Sequence, residues 1–360
     1  MQVSDMAISG LGMVSCVGYD VDTACASIRA GLTRPSQHVG LEPILRDLED
    51  DIPVTLNNID GITNGFYMTG LWARMTLLAL QNLIEREALN SSDEFFWQTT
   101  GLSIAVPILD PQRFMVDEVV EPEVIRQILC EALLPELPSG ILQNNISVCA
   151  QGHSGVAAVL VDAMDSIRSK KLNRVIVVGV DSYTDAATLK WVAENDRVKT
   201  ESRPAGMSLG EAAACIVVEL EQAVLDRGAV VYSSIRALSC NNDAEDKDQS
   251  TFSNALSKVI LDCVEQDEGY SASIVSDING EQWRARALST ALVSLTNKIS
   301  DYEVLVPCQS LGDTGSASAV IGICIASRAF ARNYAAHKSF LVTSLSENGS
   351  VGCIRIDQFN

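Results

Sequence analysis

Cys149 opens the run CAQGHSG at 149–155, a cysteine followed by small residues between a β-branched stretch and an apolar stretch with helical spacing. That pattern places a thiol where a strand hands over to a helix. Unpaired backbone N–H groups and the helix dipole at such a junction favour a thiolate and can hold an acyl oxyanion, which makes Cys149 the candidate nucleophile. His153, four residues on and about one helical turn away, is the candidate base. The plainer readings are that Cys149 is one of ten small, buried, apolar cysteines and His153 a hydrogen-bonded packing residue. A second set of polar residues, Asp277, Asn279, Glu281 and Asp313, falls at expected strand ends and reads either as a carboxylate cluster or as turn formers.

The elements that must carry these groups follow from periodicity. Residues 146–148, the small-residue turn, a helix over 156–169 and a β-branched strand over 174–180 form a βαβ unit, and with it a parallel sheet. Upstream, the pattern predicts a strand over 6–17, helices over 22–29, 67–89 and 122–134, and a short strand over 103–108. Downstream, GMSLGEAAACIVVE at 206–219 is a glycine turn running into an interior strand. After Gly228 the pattern restarts: strand 230–238, acidic loop 241–249, helix 252–265, strand 273–278, helix 282–296, strand 304–307, and a closing strand-turn-strand over 340–356. Residues 312–326 resemble 206–218 in their small-residue turn and apolar run. Two halves, 1–228 and 229–360, are expected.

Composition narrows the function. Of 360 residues, 47% are apolar and 20% charged, which is core-rich and argues for a globular protein. The net charge of −20 opposes extended contact with nucleic acid or an anionic membrane. No basic leader and no apolar run of about 18–20 residues is present, so a soluble, cytoplasmic protein is expected. With no CxxC pair and only His38, His153 and His337, neither a metal site nor a cofactor is expected. Neither 10–12 nor 208–213 has the spacing of a nucleotide-binding loop. The densest basic patch, Arg168, Lys170, Lys171 and Arg174, is where an acidic partner would have to approach.

The ordered motifs ISGLGMVSCVG at 8–18, CAQGHSG at 149–155, GMSLGEAAACIVVE at 206–219, VYSSIRALSCNND at 231–243, SLGDTGSASAVIGI at 310–323 and SLSENGSVGCIRI at 344–356 resemble the β-ketoacyl-acyl-carrier-protein synthases of the thiolase-like superfamily. The resemblance spans almost the whole chain. It implies a five-layer α/β/α/β/α fold built from two pseudo-duplicated halves, and a dimer, either with itself or with a related synthase. It also implies a central cysteine that takes an acyl group from a carrier-protein or coenzyme A thioester, helped by two histidines in decarboxylative condensation. Asn279 and Asp313 stand where those histidines would be, Cys308 replaces a lysine, and Glu347, Asn348 and Gly349 replace most of a glycine-rich gate loop. Asparagine cannot relay a proton, and an anion at Asp313 would repel an enolate. Gly210 and Glu211, with Glu347, Asn348 and Gly349, are the residues expected against substrate. The leading expectation is thus an acyl-thioester-binding, synthase-like protein that transfers the acyl group through Cys149 without standard condensation. The alternatives are a catalytically inactive, chain-length-factor-like partner of an active synthase, and a thioester hydrolase with His153 or Asp313 as base.

Overall fold

The computed structural model describes residues 2–37, 55–200, 203–241, 249–264 and 269–359; His38 and the acidic loop at 243–248 lie outside them. The strands that build the sheet are β1 (Gln2–Ser15), β2 (Thr100–Ala105), β3 (Ile146–Cys149), β4 (Arg174–Ser182), β5 (Leu209–Leu220), β6 (Ser233–Asn241), β7 (Tyr270–Ser276), β8 (Ile299–Leu305), β9 (Ser339–Leu345) and β10 (Val351–Asp357). They are ordered β8-β7-β9-β10-β6-β1-β5-β4-β2-β3. Reading outward from the central β1–β6 contact, each strand of the first half has a counterpart in the second. The order is therefore a mirrored repeat, and the halves meet where β1 pairs antiparallel with β6.

Side-chain alternation along these strands explains the layers. On β4, Val175 and Val177 point to one core, while Ile176, Val178 and Val180 point to another. β5 alternates in the same way, with Ala212, Ala214, Ile216 and Val218 opposite Ala213, Cys215 and Val217. On β10, Ile354 and Ile356 join the first core, and Val351 and Cys353 a third. The shared first core is filled by α4 (Gly155–Arg168) and α7 (Ser318–Ala331), one helix from each half. The outer cores are covered by α2 (Met68–Arg86) and α3 (Pro122–Leu133) on one side. On the other side lie α5 (Gln249–Cys263) and α6 (Gln282–Ser294). These are the five expected layers. In this layer α7, SAVIGICIASRAFA, is apolar nearly all round, with Arg328 its one charge, whereas α4 keeps Asp162 and Asp165 exposed.

Two expectations need correction. Residues 312–326 do not repeat 206–218: they form a turn and the α7 helix, the counterpart of the 152–154 turn and α4, whereas 209–220 is strand β5. Small-residue turns leading into apolar runs look alike whether strand or helix follows. The basic patch is also smaller than the sequence suggests. Arg174 is buried and pairs with Glu219 at 3.2 Å, and Arg168 pairs with Asp5 at 3.0 Å, leaving Lys170 and Lys171 as its exposed lysines.

Candidate functional site

The strand β3 ends at Cys149, and two residues, Ala150 and Gln151, separate it from the turn that leads into a helix. Val106 N–H donates to Cys149 O at 2.9 Å and Gly152 N–H donates back to Val106 O at 3.2 Å, lacing the turn to the continuation of β2. Gly152 has φ +66°, a left-handed conformation that costs a residue with a Cβ roughly 1–2 kcal/mol, and it begins the 3-10 turn Gly152–Ser154 that feeds α4. Its counterpart in the second half, Gly315 at φ +50°, begins the turn that feeds α7.

A cavity of about 150 Å³ opens at this turn, with Gly152 and His153 in its wall together with Ile108, Arg113, Glu347 and Asn348. Cys149 is not in that wall. It ends its strand half-buried against the shared central core. Burial first, then the nearby Asp162 carboxylate, pushes its thiol up to about 11 in spite of a hydrogen bond from the Gln151 backbone. At pH 7 that leaves roughly one molecule in ten thousand as thiolate. It makes no hydrogen bond to His153, Asn279 or Asp313.

Those three residues do meet. His153 Nε2 lies 2.8 Å from Asp313 Oδ1, and Asn279 Nδ2 donates to Asp313 Oδ2 at 2.7 Å and to Glu281 Oε2 at 3.0 Å. Two arginines that the sequence reading missed complete the cluster. Arg284, on α6, lies 3.0 Å from Asp277 and 3.4 Å from His153 Nδ1. Arg197 grips both oxygens of Glu281 at 2.8 and 2.9 Å and reaches Glu347 at 2.7 Å. A guanidinium only donates, so His153 Nδ1 accepts from Arg284 and Nε2–H donates to Asp313, a tautomer assigned from its partners. Neither ring nitrogen is left to take a proton from a substrate. Burial alone would raise the Asp313 carboxyl, but His153, Arg284 and Asn279 outweigh it and hold that carboxyl well below the usual range. Burial is likewise overcome at Glu281 and Glu347, where Arg197 lowers both.

The start of β5 explains why Asn279 and Asp313 converge. Ser208 N–H donates to Asn279 O at 3.0 Å, and Ser208 O accepts from Asp313 N–H at 2.7 Å, so one residue ties both loops together. Gly210 permits this approach: a Cβ there would lie 1.9 Å from Leu311 O. Gly210 and Glu211, expected against substrate, are placed elsewhere. Glu211 is fully buried, and its oxygens accept from Ile59 N, Thr63 Oγ1, Ser182 Oγ and Thr184 Oγ1 at 2.6–2.8 Å. With its acceptors spent on holding the 59–63 loop to the sheet, it is a clamp. Of the gate-loop residues, Glu347 and Asn348 line the cavity, and Gly349 lies in the tight turn that Gly349 N–H closes onto Ser346 O. Ser346 Oγ accepts from Ser154 N–H at 2.9 Å and donates to Gln151 O at 2.6 Å, pinning this loop onto the Gly152 turn.

A second buried pair borders the cavity. Arg113 donates to Asp181 Oδ1 at 2.6 Å and to Ser182 O at 2.8 Å, and its guanidinium stacks on the Tyr183 ring, 4.1 Å from the centroid. Among the described residues no cluster of three or more His, Cys, Asp or Glu could hold a metal ion, and no helix is long and apolar enough to cross a membrane.

This arrangement can be set beside known structures. The chain covers 99% of its length and 72% of the ketosynthase from module 6 of the bacillaene synthase of Bacillus subtilis 168, at TM-score 0.77 and 10% identity. The fold is that of the ketosynthases. The ishigamide ketosynthase/chain length factor superposes over 99% of both chains at TM-score 0.75 and 16% identity. A type II PKS acyl-carrier protein in complex with its ketosynthase gives TM-score 0.74 at 12% identity, again over 99% of both chains. No protein-family model matches the sequence, and neither does any curated protein.

Proposed function

We propose that this chain is a non-catalytic ketosynthase-like subunit that pairs with a related, active synthase, the chain-length-factor-like alternative among the three readings of the sequence. The observation that carries this reading is the wall of the cavity: Gly152 stands at the strand-to-helix turn, without a nucleophilic atom, beside an imidazole whose two nitrogens are both engaged. A cavity of about 150 Å³ is also half the lower end of ligand pockets, roughly 300–1,000 Å³, too little for an acyl chain with its thioester. The leading expectation, acyl transfer through Cys149, loses support from the thiol's position and its raised pKa. Pairing draws support from the β3 end of the sheet. Exposed Met115, Val119, Val124, Ile128 and Leu142 lie on α3 and the segments flanking it, which run up to β3. One of the structures with the same fold is itself a ketosynthase/chain length factor.

The test is intact-mass analysis after incubation with malonyl and octanoyl thioesters of coenzyme A and of an acyl-carrier protein, with thiol release followed in parallel. No adduct and no release are expected from the wild type. An adduct that Cys149→Ala abolishes would overturn the reading and restore acyl transfer. Thiol release that His153→Asn abolishes would establish hydrolysis instead.

A further inference from the structure

A second cleft lies on the far side of the shared core from the Gly152 turn, and the proposed pairing role makes no use of it. It encloses about 320 Å³ between α1 (Val21–Arg29), the end of β8 and α7, and its walls are largely apolar: Ile28, Leu305, Ile325, Ala329 and Phe340. That volume falls within the range of small-molecule pockets, roughly 300–1,000 Å³. It is also about twice that of the cavity at the Gly152 turn.

Its wall holds one cation and one carboxylate, Arg29 and Glu303. Arg29 lines the cleft, and its guanidinium lies 4.0 Å from the centroid of the Tyr334 ring, another lining residue. Among the described residues Arg29 meets no carboxylate. Burial and then Cys25 raise the Tyr334 phenol, against the opposing influence of Arg29, Arg328 and Arg332. Arg328 shares its charge with Asp22. The one carboxylate in the wall, Glu303, accepts from Ser273 Oγ at 2.7 Å and is not paired with Arg29.

An apolar cleft with a stacked arginine at its mouth that meets no carboxylate among the described residues suits one chemical class. We propose that this cleft binds a free medium-chain aliphatic carboxylate, its chain against Ile28, Ile325 and Phe340 and its carboxylate on the Arg29 guanidinium. The planar fork of arginine matches a carboxylate with two parallel hydrogen bonds, and stacking on Tyr334 holds that fork in place. Chain burial supplies affinity in proportion to the apolar area removed from water.

Isothermal titration calorimetry of the full chain with decanoate, decanol, decylamine and phosphatidylglycerol vesicles tests the assignment. Saturable 1:1 binding of decanoate is expected, with decylamine and the vesicles not binding. Arg29 is exposed, so Arg29→Met should fold as the wild type does. It should weaken decanoate about tenfold or more, as expected for loss of a charge-assisted pair, and leave decanol unchanged. Ala335→Trp, at a half-buried lining position, should abolish both by filling the cleft. Absence of saturable decanoate binding, equal binding of decylamine, binding to the vesicles, or an Arg29→Met variant with unchanged decanoate affinity overturns the proposal. None of these outcomes depends on whether the Gly152 turn is catalytic.

Discussion

Asp313 is buried, and its surroundings show what it does. Its oxygens are taken by His153, Asn279 and the Gly315 N–H, all within 2.8 Å. It is thus the keystone of a buried ionic cluster. Removing one member of such a cluster strands the rest, at a cost of about 3–5 kcal/mol. Asp313→Asn should therefore lose about that much in urea unfolding at pH 7. Because the folded-state carboxyl is held below its unfolded value of about 4, its stabilisation is complete above that pH and is lost as pH falls further. The gap between wild type and Asp313→Asn should then shrink steadily from pH 5 to pH 2; a gap independent of pH would mean that the carboxylate is not the source of the effect. Cys149→Ala, by contrast, should unfold within about 1–2 kcal/mol of the wild type, since a half-buried thiol behaves as a small apolar group.

At the scale of elements, the strand starts and turns determine the site more than the helices do. Gly210→Ala places a methyl 1.9 Å from the Leu311 carbonyl oxygen and must push β5 away from the loop bearing Asp313. A loss of about 2–3 kcal/mol is expected, with a weakened His153–Asp313 contact visible as a shifted His153 ring resonance in NMR. Gly152→Ala meets only the Ile108 side chain and the Ser346 hydroxyl, at 3.2–3.4 Å, and should lose little beyond the left-handed strain, roughly 1–2 kcal/mol.

The same elements show what the sequence could disclose. The βαβ unit was legible because period-2 and period-3.6 patterns change over cleanly at Gly155, and the convergence of Asn279 with Asp313 was legible from the ordered motifs. The three-residue offset between Cys149 and Gly152 was not, because every residue of a small-residue turn is an equally good place to bend. Arg197 and Arg284 escaped notice since a lone arginine on a helix or in a loop ordinarily faces water. One signal was present: Arg284 is three residues from Glu281, a spacing that brings charges together on a helix.

For the molecule as a whole, the mirrored strand order does not divide the core. Strand β1 of the first half pairs with β6 of the second, and α7 supplies the shared core with Val320, Ile321, Ile323, Cys324 and Ala326 against the α4 residues Val156, Leu160 and Met164. A chain ending at 228 would expose the inner face of β1 and β5 and one whole side of α4, together with a row of unpaired backbone groups along β1. The buried ionic cluster needs both halves: Asp313 and Arg284 from the second close around His153 from the first. Residues 1–228 expressed alone should therefore be aggregated or molten, with dye-binding apolar surface and no cooperative unfolding. The full chain should unfold in a single transition that circular dichroism and tryptophan fluorescence report at the same midpoint. Trp72, Trp97 and Trp191 lie in the first half and Trp283 in the second, so independent halves would separate the two probes. Two resolved transitions would mean that the shared α4–α7 layer contributes less than either outer core. Coincident ones follow from a middle layer that neither half can complete by itself.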